Sequence, residues 1–387
     1  MTTYVSSTEA ARMLGVTKPT LYAYVSRGIV GRSTAADGRT SLYAREEIQH
    51  LADRARGRRE SAPATIDVQI SSAITELQDE GVTYRGRDAA GLARTHSFEQ
   101  VAELLWTGAL GRPRSTWPVD RLALARCRDV HEAARADGAI ARLTLAATTL
   151  SAAAGGDYDA AAAARRLLAI APSLLGGPLT GDLATRMAAA YRKHPSSEMV
   201  TAISRALVLL ADHELATSTL AVRVACSVRA DPYAAIAAGL CVVGGPLHGT
   251  ASTAAAELLD DALRDGSRVA VDRVMSSGRR LPGFGHSVYR NGDPRLAPLL
   301  ETVRALPDPH HRMDVVEQLL VEAGRQLGQL PNVDLGLGAL SFVGGLPRDA
   351  SLFAVARIAG WAAHYDEEKS ERPVRYRGIT TRAERRA

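Results

Sequence analysis

The stretch GGPLHGTA, residues 244–251, places one histidine, His248, between a glycine- and proline-rich turn and an alanine-rich run. The sequence contains its own control, because GGPLTG at 176–181 has the same frame with Thr180 in place of the histidine. Gly-Gly-Pro-Leu therefore predicts a turn in both places, and the imidazole distinguishes the second copy. The run that follows, ASTAAAELLDDALRDG, has strong helix propensity, so we expect His248 at the start of a helix.

Helical patterning continues on both sides of this stretch. Alanine-rich windows such as DYDAAAAARRLLAIA at 157–171 favour helices, and glycine and proline residues cluster between the windows. Two short β-like runs, IDVQISSAITEL at 66–77 and GVTYRG at 81–86, precede the helical pattern. We therefore predict a mainly α fold. GLGAL at 336–340 is not a dinucleotide fingerprint, because no βαβ unit surrounds it.

Length and composition indicate a soluble, globular protein of two or three domains, since 387 residues exceed one ordinary core. No apolar run reaches the ~18 residues of a membrane helix, and the amino terminus lacks the pattern of a signal peptide. We predict a cytoplasmic location. The three cysteines, Cys127, Cys226 and Cys241, form no CxxC pair, which argues against a zinc site, and all three are expected in the core.

The first 60 residues carry most of the net charge. They hold ten Lys or Arg against six Asp or Glu, a net charge of +4, whereas the whole chain has +5. Within them, the stretch 6–32 predicts two short helices joined by a tight glycine turn, and Ser6 with Glu9 forms a capping box. The second helix is expected from Thr17 to about Arg27.

A hairpin and a third helix are expected next, because ADGRTSLYAREEIQHL at 36–51 has an Asp-Gly turn followed by a short strand pattern. This arrangement resembles the winged helix-turn-helix domain of the MerR group. The module is predicted at residues 1–57, and the basic, then Ser/Pro/Ala-rich segment 58–65 is predicted to be a linker.

Two interpretations of this module stay open. Its predicted recognition helix carries cations only at its ends, Lys18 and Arg27, where phosphate contact is favoured over base readout. Together with Arg32 and Arg39 in the predicted wing, these cations support weak DNA binding. The alternative is a domain retained for packing or dimer contacts.

Polar motifs interrupt the helical body at several places. They are ADHELATST with His213, GGPLHGTA with His248, LPGFGHSVYRNGDPR with His286 and Arg295, LPNVDLGLGAL with Asp334, and FAVARIAGWAAHYDEE with Arg357 in a helix. In order, spacing and residue sequence, these motifs resemble those of the citrate synthase family. The resemblance extends from about Ser71 to Gly378, and YRGRDAAGLARTHSFEQVAELLWTG near its start is also similar to the family's opening.

The resemblance implies a large and a smaller helical domain with a substrate cleft between them. Residues 66–387 would form this enzyme, with the smaller subdomain at roughly 249–343. The resemblance also implies a homodimer and a coenzyme A thioester as co-substrate, with no permanently bound cofactor and no metal.

The implied chemistry begins with a very weak carbon acid, the methyl group of an acetyl thioester. Its deprotonation needs a positioned carboxylate and simultaneous stabilisation of the enolate oxygen. Asp334 is the candidate base and His248 the candidate oxyanion partner. A histidine at a helix start feels the positive end of the helix dipole, which favours a neutral imidazole that donates an N–H.

The remaining candidates would hold the two substrates. His286 would polarise and protonate the ketone of oxaloacetate. A dicarboxylate is recognised well by the planar fork of arginine, and the family's substrate contacts correspond here to His213, Arg295 and Arg357. The candidates for the phosphates of coenzyme A are Arg279, Arg280 and Arg290.

Each candidate has a structural alternative. His248 and His286 could be histidines that are merely satisfied within loops, and His213 could have only a structural role in helical sequence. Asp334 follows Pro-Asn and could simply cap a helix. The three arginines proposed for coenzyme A could be solvated surface charge, and His364 is expected to be structural.

The sequence departs from the family pattern in two places. An aromatic residue usually follows the catalytic aspartate, whereas Leu335 stands here, which leaves the preferred acyl group open. The carboxy-terminal motif RPVRYRG is one residue short, so the arginine that the family contributes to the neighbouring subunit's site could be Arg372, Arg375 or Arg377. We choose Arg375.

The predicted reaction is the Claisen condensation of acetyl-CoA with oxaloacetate to citryl-CoA, which is hydrolysed to citrate and coenzyme A. One added methylene changes discrimination in an apolar pocket by only about 1–3 kcal/mol, so 2-methylcitrate synthase, which uses propionyl-CoA, is an alternative. An alternative of another class is a DNA-binding regulator whose body senses an acyl-CoA or a dicarboxylate. The joint presence of a base and two histidines argues against such a pure sensor.

Overall fold

The structure is a computed structural model. It divides into two compact units, Met1–Ser71 and Ser72–Ala387. The described residues are 4–14, 16–26, 30–34, 41–45, 47–49, 69–78, 81–154, 159–245, 248–249, 251–286, 288–289, 291–326, 329–349 and 351–376.

In its described residues, the first unit combines a small antiparallel sheet with two short helices, and residues 45 and 47–49 are also helical. Strand β3 lies in the centre of the sheet and pairs with β1 and β2. The backbone N–H of Glu9 donates to Ser6 Oγ at 3.3 Å, so the predicted serine does cap the first helix. The core consists of apolar residues, among them Leu21, Tyr43 and Ile48. The elements are β1 (Tyr4–Ser6), α1 (Ser7–Leu14), α2 (Lys18–Ser26), β2 (Ser33–Thr34) and β3 (Ser41–Ala44).

The predicted Asp37-Gly38 turn, Arg27, Arg39 and the linker 58–65 lie outside the described residues. Lys18 is exposed.

The second unit begins with a three-stranded antiparallel sheet in the order β4-β5-β6. Its strands are β4 (Thr75–Gln78), β5 (Gly81–Tyr84) and β6 (Arg87–Asp88). In the described part of the first β-like run, residues 69–77, the expected strand forms only at the end, where residues 75–77 pair with β5. Residues 69–74 form no ladder, and alternation of apolar residues creates a strand only where a partner accepts its hydrogen bonds.

The rest of the described chain is mainly helical, as the sequence predicts. The helices are α3 (Ala89–Thr95), α4 (Phe98–Thr107), α5 (Arg121–Ala133), α6 (Ala139–Ala154), α7 (Ala160–Leu174), α8 (Leu183–Tyr191), α9 (Ser197–Leu210), α10 (Thr217–Ser227), α11 (Pro232–Val243), α12 (Ala251–Asp265), α13 (Ser267–Ser276), α14 (Leu296–Arg304), α15 (Arg312–Gln326), α16 (Val333–Gly344) and α17 (Ser351–Lys369).

Side chains of Asp, Ser and Asn define the starts of many helices. Each accepts a hydrogen bond from a backbone N–H of the first turn, which would otherwise lack a partner. Ser97 and Gln100 form a complete capping box at α4. The capping residues of this kind are Asp88, Ser97, Asp120, Asp159, Asp182, Ser196, Asp231 and Asn332.

Helix α17 lies at the centre of the core. Nearly all of its residues from Ser351 to Tyr365 are buried, and it packs against α7, α9, α10 and α11. A helix that is buried on all sides fits the interior of a large domain. It therefore holds Arg357 at a fixed place in the core.

Helices α12 and α16 pack closely against each other. A Cβ atom at Gly338 of α16 would lie 2.9 Å from the Cβ of Ala255 of α12, so only glycine allows this approach. The segment that precedes α12 and the first turn of α16 carry His248 and Asp334.

One prediction about the core was wrong. Cys127 and Cys226 are buried, but Cys241 is exposed. Cys241 faces outward on α11, whereas Leu240 and Val243 of the same helix face the core. No helix in the described residues is long and apolar enough to cross a membrane.

Candidate active site

His248 lies in the turn that joins α11 to α12. The backbone N–H of His248 donates to the carbonyl of Gly245 at 3.1 Å, and its Nε2 lies 2.9 Å from Ser218 Oγ. Its ring meets Phe353 edge to face at 5.8 Å between centroids. Burial lowers the pKa of His248, and the positive charge of Arg357 lowers it further. These causes favour a neutral imidazole and join the helix-dipole effect inferred from the sequence.

The GFGH loop and the loop before α16 are joined by backbone hydrogen bonds. The N–H of Gly285 donates to the carbonyl of Leu330 at 2.8 Å, and the N–H of Asn332 donates to the carbonyl of Gly283 at 2.9 Å. The side-chain amide of Asn332 adds a bond to the carbonyl of Gly285 at 2.7 Å. Gly283 has φ of +79°, and a Cβ there would lie 2.8 Å from the Cβ of Leu335. These bonds tie the segment of His286 to that of Asp334, and the close approach of the two loops requires glycine at 283.

Asp334 is the second residue of α16. Asn332 caps this helix and accepts the N–H of Asp334 at 3.0 Å, so the alternative that Asp334 is the capping residue was wrong. Burial raises the pKa of Asp334 to about 6, against the opposing effect of Arg295. A carboxylate with a raised pKa is a stronger base than an exposed one, and it is still ionised at neutral pH.

The backbone fixes the tautomer of His286. Its Nδ1 accepts the N–H groups of Val288 at 3.1 Å and Tyr289 at 3.3 Å. The proton of the neutral ring is therefore on Nε2. Burial lowers the pKa of His286, and Arg295 adds to this effect. A neutral ring with an Nε2 proton can donate a hydrogen bond to a carbonyl oxygen.

His213 lies between α9 and α10, so the prediction of helical sequence around it was wrong. The helix ends at Leu210, and His213 packs edge to face against His286 at 5.4 Å between ring centroids. Its Nε2 lies 3.0 Å from the hydroxyl of Tyr289. Burial strongly lowers the pKa of His213, and Arg295 contributes to this effect.

Arg295 is buried and paired within its own loop. Its Nε and Nη2 donate to the two carboxylate oxygens of Asp293 at 2.9 and 2.8 Å. Asp293 also accepts the N–H of Val333 at 2.9 Å. The carboxylate of Asp293 therefore ties Arg295 to the first turn of α16, at the residue directly before Asp334.

Arg357 is buried and largely unpaired. It is 1% exposed, and its Nε and Nη1 have no hydrogen-bond partner in the described part of the chain. Its guanidinium carbon lies 4.7 Å from the ring centroid of Phe353, the ring that also contacts His248. Burial lowers the pKa of Arg357, and the charge of Asp212 opposes this effect. A buried guanidinium with free N–H groups fits an anionic ligand.

These side chains share one electrostatic environment. Arg357 influences the pKa of His213, His248 and Asp334, and Arg295 influences the pKa of His213, His286 and Asp334. The structure therefore brings six of the ten predicted site residues together. They are His213, His248, His286, Arg295, Asp334 and Arg357.

The other predicted residues lie differently. Arg279 and Arg280 are exposed, and Arg279 Nε donates to Ser277 Oγ at 3.0 Å. Arg290 is outside the described residues. Arg375 pairs with Glu368 of its own chain through Nε at 2.7 Å, so its charge is already balanced there. In the described ranges, no group of three or more His, Cys, Asp or Glu side chains could hold a metal ion.

Sequence reasoning missed several polar residues of the site. Ser218 contacts His248, Tyr289 contacts both His213 and His286, and Asp293 pairs with Arg295. All three stand inside the polar motifs already singled out. Position in those motifs was the available signal, but contacts between motifs require the fold.

His364 has the structural place that was expected of it. Its Nδ1 lies 3.0 Å from Nη1 of Arg223, which can only donate, so its Nε2 carries a proton toward Asp212 at 3.2 Å. Asp212 also accepts the hydroxyl of Thr75 at 2.6 Å. This buried network lies beside His213 in sequence and holds the start of the second unit against α17.

Known proteins resemble the chain in sequence and in fold. A family model described as citrate synthase, C-terminal domain, matches residues 66–377. A 2-methylcitrate synthase from Mycobacterium tuberculosis is 28% identical over 346 residues, which cover 79% of this chain and 86% of that protein. The citrate synthase of Thermoplasma acidophilum is 32% identical over 226 residues, which cover 54% of this chain and 58% of that protein.

Solved structures give the same picture of the fold. The ternary complex of carboxymethyl coenzyme A and oxaloacetate with the Thermoplasma acidophilum citrate synthase matches with a TM-score of 0.68 and 24% identity, covering 85% of this chain and 97% of that one. Citrate synthase from Thermotoga maritima matches with a TM-score of 0.69 and 22% identity, with the same coverage. With the family model matching most of its length, the chain belongs to the citrate synthase family of acyltransferase-type enzymes.

Proposed function

We propose that the chain condenses an acyl-CoA with oxaloacetate and hydrolyses the resulting thioester to a tricarboxylate and coenzyme A. The observation that carries this proposal is the presence of two unusual buried groups in one site. Asp334 is a carboxyl group whose pKa is raised to about 6, and Arg357 is a guanidinium with two nitrogens that have no partner among the described residues. A base and a free anion receptor in one buried site fit carbon-acid chemistry on an anionic substrate.

Asp334 and His248 would act together in the first step. Asp334 removes a proton from the α-carbon of the thioester, and the neutral His248 donates a hydrogen bond to the developing enolate oxygen. Ser218, at 2.9 Å from Nε2 of His248, keeps the ring in place and leaves Nδ1 to face the substrate. The low pKa of His248 supports the neutral form that this role needs.

The second substrate would lie against the other four charged or polar groups. His286, whose proton is on Nε2, donates it to the ketone oxygen of oxaloacetate as the new carbon–carbon bond forms. Arg357 binds a carboxylate through its free Nε and Nη1. Arg295 and His213 are the proposed remaining substrate contacts.

Coenzyme A is proposed as a co-substrate that leaves after each turnover. The Thermoplasma acidophilum relative was solved with carboxymethyl coenzyme A and oxaloacetate, which supports a thioester and a dicarboxylate as ligands. Arg279 and Arg280 are exposed beside the GFGH loop and stay our candidates for the phosphates, together with Arg290. We propose no permanently bound cofactor.

Acetyl-CoA and propionyl-CoA are equally supported as the acyl donor, because relatives named citrate synthase and 2-methylcitrate synthase both match the chain. Leu335, which follows the base, is fully buried and packs under Gly283. It therefore helps support the GFGH loop.

A free-thiol release assay with each thioester and oxaloacetate tests the function. Release with neither thioester would contradict it, and the ratio of kcat/KM values identifies the preferred donor.

The amino-terminal unit is proposed to be a winged helix-turn-helix module at residues 1–57, followed by a linker at 58–65. Its two helices, its sheet and the exposed Lys18 and Arg32 support this. We expect removal of residues 1–60 to leave most condensation activity, and we expect weak, salt-sensitive binding of random duplex DNA. A tight complex with one DNA sequence at physiological salt would instead favour the regulator.

The assembly and location of the protein are also proposals. We propose that the protein is a cytoplasmic homodimer. We also propose a smaller subdomain at roughly 249–343, since α12 to α16 pack on one another. Arg375 is proposed to reach the partner's site, which requires it to leave Glu368. Light scattering tests the dimer, and Arg375→Ala tests the arginine: an unchanged KM for oxaloacetate would contradict its role.

A further inference from the structure

One buried tyrosine contacts three of the side chains described above. Tyr289 is 4% exposed, and its hydroxyl lies 3.0 Å from Nε2 of His213. Its ring lies 4.6 Å from the ring of His286 at an interplanar angle of 33°. The guanidinium carbon of Arg295 lies 5.7 Å from the centroid of the same ring.

The two histidines need defined tautomers to act on one substrate. The Nδ1 of His286 accepts the backbone N–H of Tyr289 and of Val288, which places its proton on Nε2. Burial raises the pKa of Tyr289 well above its usual range, so the phenol keeps a proton to donate. Burial lowers the pKa of His213, so its neutral ring can accept that proton's hydrogen bond at Nε2.

We propose that Tyr289 is a positioning residue for both histidines: its hydroxyl orients His213 and its ring orients His286. The O–H donates to Nε2 of His213 and leaves the proton of that ring on Nδ1. The tilted ring, in contact with the imidazole, restricts rotation of His286, so that its Nε2 proton is directed into the site. This inference rests on the proposed function for the identity of the substrate, but not for the geometry.

The two parts of Tyr289 would therefore have separable effects. Phenylalanine keeps the ring and loses the hydroxyl, which frees His213. Leucine loses both and removes the ring that His286 contacts. Tyr365 offers a matched control, because it is also a buried tyrosine, and its hydroxyl donates to the carbonyl of Ala230 at 2.7 Å, away from both histidines.

Steady-state kinetics on the full chain test the separation. We expect Tyr289→Phe to raise the KM for oxaloacetate about 5- to 10-fold with kcat within about twofold, the size of one neutral hydrogen bond. Tyr289→Leu should lower kcat about 100-fold, the scale of misplaced proton transfer. Tyr365→Phe should leave both constants unchanged. A Tyr289→Phe enzyme with the kinetics of Tyr365→Phe would overturn the role of the hydroxyl.

A second measurement does not depend on turnover. The ¹⁵N spectrum of histidine-labelled protein should show His213 protonated on Nδ1 and His286 protonated on Nε2. Tyr289→Phe should change the nitrogen shifts of His213 and leave those of His286. Unchanged His213 shifts would overturn the proposal even if Tyr289→Leu fails to fold. If the wild-type protein releases no thiol with either thioester, the proposed function fails, and these spectra still decide the role of Tyr289.

Discussion

The two Gly-Gly-Pro-Leu turns have the same frame and different surroundings. At 176–181 the turn joins α7 to α8, the N–H of Gly177 donates to the carbonyl of Pro172 at 2.8 Å, and Thr180 is exposed. In the second copy, the residue in the place of Thr180 is His248, which is half buried.

The difference lies in what each turn faces. Arg186 Nε donates to the carbonyl of Pro178 at 3.0 Å, so the first turn serves to end one helix and begin the next. The second turn places His248 against Ser218 and Phe353 and within the field of Arg357. A repeated frame therefore indicates a turn, and function depends on the groups that the following side chain meets.

The largest effect should come from removing the proposed base, Asp334, which acts together with His248 of the second turn. Asp334→Asn keeps the shape of the side chain and loses its basicity, so kcat should fall by about 100-fold or more while oxaloacetate binding stays nearly intact. Thiol release and calorimetric binding measure the two effects. Asp314→Asn, an exposed acid, is the control. Wild-type turnover in a folded Asp334→Asn protein would contradict the assignment.

The next effect compares the two turns directly. His248→Ala removes the donor to the enolate oxygen, and kcat should fall by about 100-fold, the scale of one oxyanion-hole donor. Thr180→Ala changes the equivalent position of the first turn, where the side chain is exposed, and should leave kcat unchanged. The same thiol assay compares both variants. Equal losses would mean that the turns themselves, and not the imidazole, support activity.

A smaller effect is expected at the arginine that distinguishes the second turn's environment. Arg357→Ala should raise the KM for oxaloacetate about 10- to 100-fold, as expected for charge-assisted hydrogen bonds, and should also lower the rate. Arg268→Ala, on an exposed arginine, is the control. An unchanged KM would show that the free nitrogens of Arg357 do not bind the substrate.

The mildest test uses pH in place of mutation. Asp334 must be ionised to act as a base, and its pKa is raised to about 6. The value of kcat/KM should therefore be level above that pH and fall about tenfold per pH unit below it. The Thr180→Ala protein should follow the same curve. A fall that begins only near pH 4, the usual range of an aspartate, would contradict burial of the base.

The sequence predicted the helical fold and the order of the polar motifs well, because alanine-rich helices and Gly/Pro turns are local signals. It failed where structure depends on partners. Of the described residues 69–77, only 75–77 form a strand, since pairing with β5 decides its length. The prediction missed the outward position of Cys241, because the uniformly apolar sequence of α11 does not show which side of the helix meets the core.

Six of the ten residues predicted for the site lie together in the structure, but the sequence did not show their contacts. Arg295 and Arg357 look alike in sequence, yet Arg295 has a bidentate partner and Arg357 has two nitrogens without a partner in the described ranges. Tyr289 gave no chemical signal of its own, because its role depends on histidines from two separate segments. Such relations arise only when loops from different helices meet.

The bonded pair of loops around Gly283 and Asn332 has a mechanical consequence. Because three hydrogen bonds and the packing of Leu335 join the loops, a thermal displacement of one carries the other with it. The spacing between the carboxylate of Asp334 and the ring of His286 should therefore fluctuate less than the spacing of either group from His248. The groups that remove and deliver protons, Asp334 and His286, would then move as one rigid block. The main variation in the geometry of the site would come from the position of His248, which binds the enolate oxygen.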